Sequence, residues 1–497
     1  MLFNSLRFLI FFPVVICVCF LLPAKLRQSW LLAASYFFYM CWNAKYALLL
    51  FFVTAVTYAV GLLIDCTDRF SWSEKSVIHV KKLCAATGIV LAMGALFFFK
   101  YIGFVVDSMN KLLALAHVQL SIPTFDVLLP VGVSFYTFQA MGYVADVYRG
   151  QPAERNFVRY ALFVSFFPQL VAGPIERSKD LLCQLKELGP PRLDRLQNGV
   201  LLMLWGYFLK VVLADRIAVV VDTVYANPAA YGGWYIVVAT ILFAFQIYGD
   251  FAGYSTIAMG AAEVLGVRLT DNFDAPYLSR SVGEFWRRWH VSLGSWFRDN
   301  LYIPLGGNRK GKGRRYLNLM VVFLASGLWH GADWSFVAWG GLNGLYQIAG
   351  ALTKPLRRRA MNVLGLRRDS LGHKVLQTLI TFALVDFAWI FFRAESLSAA
   401  LFVIRSMFTV HNPWVLFDGS LYRLGLDQKN FQLMVLCILL LLAVDWRKRA
   451  GVCTRRVIAG QDALARWLVF AVSVNLILLL GRWGIGYDPA SFIYFQF

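Results

Sequence analysis

Apolar runs long enough to cross a lipid bilayer recur from one end of this 497-residue chain to the other. About 20 helical residues span a hydrocarbon core roughly 30 Å thick. Such runs lie near 8–22, 30–44, 46–64, 83–101, 127–147, 197–221, 234–264, 334–352, 375–392, 431–445 and 464–482. No soluble core could absorb them all. Backbone in lipid must satisfy its own hydrogen bonds, so runs of this kind become helices. The fold class expected is an all-α polytopic membrane protein with about eleven transmembrane helices, forming a single integral membrane domain over 1–497. Run 234–264 is too long for one upright crossing and is expected to tilt or kink. Two further stretches, 157–173 and 317–330, read as short or broken, in the manner of re-entrant or interfacial segments. The run Phe8–Leu22 is read as a retained span, because no small-x-small cleavage site follows it.

The formal net charge is +20. On a soluble protein that excess would point to nucleic acid. Here 37 of the 48 basic residues fall in the stretches 24–29, 65–82, 149–159, 176–195, 268–315, 353–374 and 446–466, between apolar runs. The positive-inside rule accounts for that pattern, places these loops in the cytoplasm and both termini outside, and leaves no role for nucleic acid. The eight cysteines form no CxxC pair, so neither a disulfide framework nor a metal site is expected.

Ionisable groups at membrane depth are costly and are functional candidates by default. The stretch Ser326-Gly-Leu-Trp-His-Gly-Ala-Asp-Trp334 places a histidine and an aspartate there, between tryptophans. A neutral imidazole accepts a proton near neutral pH, as a general base for attack by a hydroxyl or thiol requires. Ser326 and Asp333 would flank His330 on a continuing helix, but Gly331 is placed to end that helix. Residue chemistry alone leaves His330 open between a base and a buried histidine bonded to backbone.

Upstream, Leu305-Gly-Gly-Asn-Arg-Lys-Gly-Lys-Gly-Arg-Arg315 reads as a glycine-rich basic loop. Gly306 and Gly307 free the backbone to present N–H groups to an anion, and Asn308, Arg309 and Lys310 add polar and cationic side chains. An ordinary positive-inside loop has the same composition, and no Walker A order is present. Phe285-Trp-Arg-Arg-Trp-His290 suits a helix at the membrane surface with arginines reaching headgroups. His290 at its end is as fit for ordering the nearby loop as for chemistry. Asp146, Lys210, Asp215, Asp250, Glu263, Asp386 and Arg393 are further polar residues within or near spans. Lys210 and Asp215 are five apart, off the best pairing distance of an α-helix.

Taken together, Val171-Ala-Gly-Pro-Ile-Glu-Arg177, Asp250-Phe-Ala-Gly-Tyr-Ser255, Phe285-Trp-Arg-Arg-Trp-His290, Leu301-Tyr-Ile-Pro-Leu-Gly-Gly307, Leu328-Trp-His-Gly-Ala332 and the ending Phe492-Ile-Tyr-Phe-Gln-Phe497 resemble the membrane-bound O-acyltransferase family, in its polysaccharide-acetylating branch. The resemblance covers nearly the whole chain. It implies a ring of helices around a central funnel or tunnel, in the cytoplasmic (inner) membrane of a bacterium. It places the family's invariant histidine at His330 and a second histidine position at His290. It implies acetyl-CoA as a donor substrate from the cytoplasm, with no permanently bound cofactor, and suits Gly306, Gly307, Asn308, Arg309 and Lys310 to the donor's phosphates. It also implies an extracytoplasmic, serine-hydrolase-like acetyltransferase partner and the machinery that makes and exports a polysaccharide. Alginate, another exopolysaccharide or peptidoglycan would all be consistent. The competing readings are D-alanyl transfer to teichoic acid from a carrier protein and a non-catalytic polysaccharide transporter.

Overall fold

The computed structural model describes residues 1–71, 73–118, 120–123, 129–363, 365, 367, 369–483, 492 and 493. The regular structure among them is helical. It divides into two compact units, Met1–Met203 with Ala258–Thr270, and Leu204–Ile257 with Asp271–Phe497.

The first unit opens with α1 (Leu6–Leu21), α2 (Ala24–Met40), α3 (Tyr46–Cys66) and α4 (Glu74–Leu96), the last continued through a π-helical stretch, Phe97–Tyr101, into α5 (Ile102–Leu115). Then come α6 (Val133–Tyr148), α7 (Phe157–Ser165), α8 (Phe167–Leu170) and α9 (Ser178–Lys186). The stretch 157–173 is broken as expected, at Phe166, where the backbone leaves helical geometry. The fully buried rings of Phe3, Phe8, Phe38 and Phe167 form one cluster of this unit's core.

The chain passes to the second unit through α10 (Leu193–Tyr207), a π-helical stretch Phe208–Ala214 and α11 (Asp215–Ala226). Helix α12 (Trp234–Val264) follows. The second unit continues with the short α13 (Val282–Arg288) and α14 (Val291–Phe297), then α15 (Gly311–His330), α16 (Trp334–Leu352), α17 (Lys354–Val363), α18 (Leu371–Arg393), α19 (Leu397–Thr409), α20 (Gln428–Arg449), α21 (Thr454–Ala459) and α22 (Ala463–Leu480).

Each of the eleven apolar runs meets helix, although 127–147 starts outside the described residues. Six helical segments among the described residues have the length and composition to cross a membrane: Tyr46–Arg69, Glu74–Leu115, Trp234–Val264, Leu371–Arg393, Gln428–Arg449 and Ala463–Leu480. Their surroundings differ. The apolar window of α12 is 83% buried within the protein, whereas that of α22 is 6% buried and suits contact with lipid. Stretch 317–330 departs from expectation: it is the unbroken end of α15. Its glycine serves a helix crossing. A Cβ on Gly327 would lie 2.3 Å from the Phe336 carbonyl oxygen, and one on Gly340 would lie 2.3 Å from that of Phe323. Small residues let backbones approach this closely, which is how helices gain packing energy in lipid.

Gly327→Val is expected to open this crossing and lower the detergent-solubilised melting temperature by several degrees, an overpacking cost of about 1–3 kcal/mol or more. Gly313→Val, where an added Cβ meets nothing within 4 Å, is the control and should leave the melting curve unmoved.

Candidate active site

His330 is the last residue of α15 and is 4% exposed. Its Nδ1 lies 2.7 Å from the carbonyl oxygen of Ser326, one turn back. A carbonyl only accepts, so Nδ1 carries the hydrogen and donates it. In the neutral ring the basic lone pair is therefore on Nε2. The ring sits in an aromatic box, with centroids of Trp329 and Trp339 at 4.9 Å and Phe392 at 5.6 Å. Trp339 in turn stacks on Trp389 at 5.7 Å. Such walls exclude water, and every electrostatic interaction inside them is strengthened.

The chain turns just after the histidine. Gly331 closes α15 in extended geometry, and a Cβ there would lie 2.1 Å from the Phe336 ring. Asp333 then begins α16, where Oδ1 accepts from the Ser335 N–H at 2.7 Å. Its carboxylate caps a helix. Ser326 serves His330 through its backbone carbonyl. The Ser-His-Asp arrangement therefore does not form here. The reason is Gly331, which takes Asp333 off the helix that carries His330.

His290 is brought to the same place, its ring centroid 6.4 Å from that of His330, close enough for one small bound group to touch both. It is 2% exposed, packed on Phe251 at 4.7 Å and on Trp329 at 5.8 Å. Its backbone is left-handed, with φ 46° and ψ 54°. A non-glycine residue there costs on the order of 1–3 kcal/mol and persists only where its surroundings hold it. Asn272 supplies the hold. Its carbonyl accepts from Val291 N–H at 3.1 Å, and its Oδ1 accepts from Ser292 N–H at 3.1 Å, capping α14. The neighbouring residues Phe273 and Trp289 form an antiparallel bridge. Strain of this kind, fixed by a dedicated clamp, is characteristic of functional sites.

The stretch Phe285–His290 differs from the expected surface helix. Helix α13 stops at Arg288, and Phe285 and Trp289 are buried and stacked at 5.5 Å. Trp286 donates through Nε1 to Asn343 Oδ1 at 3.1 Å. Arg288 binds Glu284 and Asp274 within the protein instead of reaching outward. Glu284 is held below the usual glutamate range: partial burial opposes its charge, but the Arg280 N–H and the guanidinium groups of Arg449 and Arg288 outweigh it.

The basic segment is also shorter than its sequence implied. Helix α15 begins at Gly311, so Lys312, Arg314 and Arg315 are helical and only Leu305–Lys310 form turns. Gly306 and Gly307 adopt φ of 103° and 53°. The N–H groups of Gly306, Gly307 and Arg309 donate to the carbonyls of Ile303, Tyr302 and Gly306, so they are engaged in turns rather than in an open anion nest. Asn318 steadies the segment from α15 by donating to the carbonyls of Leu305 and Gly307, and Tyr302 donates to Asn308. Arg309 and Lys310 are exposed, so any anion held here is held by side chains.

Three of the polar residues singled out in sequence, Lys210, Asp215 and Asp250, form a second cluster. Lys210 Nζ lies 2.8 Å from Asp215 and 2.7 Å from Asp250, all three buried. Asp250 Oδ2 accepts from Ile493 N–H at 2.8 Å, and Phe492 stacks on Tyr254 at 4.6 Å. The spacing of five that seemed off register is in register here, because the stretch between them is π-helical, with i→i+5 bonding. Residues 494–497 of the ending motif lie outside the described residues. Glu176, of the Val171–Arg177 motif, accepts from Thr270 N–H at 2.6 Å, and burial pushes its carboxyl up to about 7.

With this geometry in place, comparison with known proteins decides the family. The family model described as "MBOAT, membrane-bound O-acyltransferase family" matches residues 148–383. A probable alginate O-acetylase of Azotobacter vinelandii is 37% identical over 422 residues, covering 84% of this chain and 80% of the relative. A peptidoglycan O-acetyltransferase of Helicobacter pylori is 34% identical over 440 residues, 82% and 80% of the two chains. A teichoic acid D-alanyltransferase of Streptococcus thermophilus is 31% identical over 233 residues, 43% of this chain and 55% of the relative. The chain belongs to the membrane-bound O-acyltransferase family. It is a multi-pass membrane protein and an O-acyltransferase, which sets aside the transporter reading. Both histidines and the basic segment lie inside the matched stretch.

Because Ser326 acts through its carbonyl, Ser326→Ala should leave acyl transfer within about threefold of wild type, unlike loss of a nucleophile. Asp333→Ala should cost about 1 kcal/mol of stability through the lost cap, read as a melting shift, without the loss of rate that removing a triad carboxylate would bring.

Proposed function

We propose that this O-acyltransferase transfers acetyl groups from cytoplasmic acetyl-CoA for O-acetylation of an exported polysaccharide, with an extracytoplasmic acetyltransferase completing delivery to the sugar hydroxyls. The observation that supports the reading is the orientation of His330, whose Nδ1–H donates to the Ser326 carbonyl and so puts the basic lone pair of the neutral ring on Nε2. In the proposed step Nε2 removes the proton from the acceptor's hydroxyl or thiol as its oxygen or sulfur attacks the thioester carbonyl. The carbon–sulfur bond breaks, and the imidazolium returns that proton to the departing thiolate. His290, across the same small space, would touch the bound acyl group or acceptor. Exposed Arg309 and Lys310, beside the turns of Gly306, Gly307 and Asn308, would meet the phosphates of the donor.

Acetyl is favoured over D-alanyl because the relatives named as O-acetylating enzymes match more than four-fifths of this chain, whereas the D-alanyltransferase matches 43% of it. The acetylating relatives act on alginate or peptidoglycan by name, so the acceptor pathway proposed is modification of a cell-envelope or secreted polysaccharide.

Purified protein incubated with radiolabelled acetyl-CoA and an acceptor should release free coenzyme A, and His330→Ala should slow this by about 10²–10⁴-fold, the usual worth of general-base help. Full activity in that variant at normal expression would remove His330 from the role. Arg309→Gln with Lys310→Gln should raise KM for acetyl-CoA while leaving KM for acetyl-pantetheine, which lacks the nucleotide phosphates, unchanged. Equal effects on both donors would show that these side chains do not meet the phosphates.

A further inference from the structure

We infer that Lys448 and Arg449, at the end of α20, are positioning residues that hold the strained His290 turn in place. In sequence these two cations belong to a basic run that serves topology. In the structure they grip the segment that delivers His290. Lys448 Nζ donates to the Phe273 carbonyl at 2.7 Å and lies 3.9 Å from the Asp274 carboxylate. Arg449 donates to the Leu278 carbonyl and, at 2.6 Å, to Glu284 Oε1. The same Glu284 oxygen accepts from Arg288 Nε at 3.2 Å, and Arg288 reaches back to Asp274. One turn earlier on α20, Asp445 accepts from the Tyr248 hydroxyl, and the Tyr248 ring packs against Trp289.

These contacts surround the turn. Phe273, held by Lys448, is the bridge partner of Trp289, and His290 follows Trp289 directly. Glu284, held by Arg449 and itself paired with Arg288, lies with Arg288 on the last turn of α13, which Trp289 follows. Arg449, Glu284 and Arg288 have side chains only 20%, 19% and 24% exposed, so losing Glu284 takes from Arg449 its carboxylate, and losing Arg449 takes from Glu284 one of its two guanidinium partners. That is the situation in which breaking an ion pair is costly, unlike at an open surface. The three cations 447–449 also lie at a helix C-terminus, where positive charge is favoured. A left-handed histidine is held by its surroundings, and the end of α20 braces the segments on either side of the turn that Asn272 clamps.

The kinetic arm of the test rests on the acyl-transfer reading; the exchange arm does not. Arg449→Gln and Glu284→Gln are compared with Arg447→Gln, an exposed neighbour of equal charge, and with the conservative Arg449→Lys. Glu284→Gln serves if Arg449→Gln is not monodisperse. Hydrogen–deuterium exchange over 272–292 should speed up in Arg449→Gln and Glu284→Gln, stay at wild type in Arg447→Gln, and be largely restored in Arg449→Lys. The rate kcat should fall by about tenfold in Arg449→Gln and Glu284→Gln, with KM for acetyl-CoA within about twofold, since a displaced histidine weakens the chemical step more than donor binding. Unchanged exchange in Arg449→Gln would overturn the proposal, whatever the activity. A raised KM with unchanged kcat and exchange would also overturn it, making Arg449 a donor ligand. If wild type transfers no acetyl group, the acyl-donor reading fails and the exchange arm still decides the positioning role.

Discussion

At His330, in the last turn of α15, one side-chain hydrogen bond to a carbonyl one turn back orients the imidazole ring. Nδ1 donates to Ser326, so the ring presents Nε2 as its base and cannot spin to present the other nitrogen without breaking a buried bond. The rest of the site depends on that orientation. Gly331 ends the helix at the right residue, and the glycine crossing between α15 and α16 brings Trp339 against the ring. The aromatic box encloses the ring, which suits the proton transfer proposed for Nε2.

Some of the buried polar groups stand where the regular helix is interrupted, and there the interruption does local work. The π-helical stretch Phe208–Ala214 aligns Lys210 with Asp215 and lets Asp250 complete a buried cluster. The gap between α13 and α14 holds His290 in a left-handed conformation. The end of α20 places cations over that gap. A continuous α-helix bonds its own backbone and offers no such openings, so in lipid-facing stretches such as α22 the chain remains regular and apolar.

The helical fold was legible because about 20 apolar residues in a row admit few structures in lipid. Family membership was legible because several motifs occur together and in order, and the comparisons agree. His330 and His290 could be named but not oriented. Gly331 was legible as the end of the helix, and Asp333 beyond it indeed caps the next one. The glycines at 306 and 307 looked like an anion nest, yet their N–H groups close turns. The Lys210–Asp215 pair was discounted because its spacing suits a π-helix, and composition does not announce one.

By itself, then, the sequence determined the solvent this chain folds in, its helical class, the charge bias of its loops and the two histidines worth weighing. These follow from composition and local periodicity, which need no knowledge of distant neighbours. The tertiary structure alone decided which nitrogen of His330 carries the lone pair, that His290 shares its space, and that Lys448 and Arg449 grip the segment before His290. Those facts depend on residues far apart in sequence meeting at hydrogen-bond distance, and no run of one-dimensional pattern encodes such a meeting.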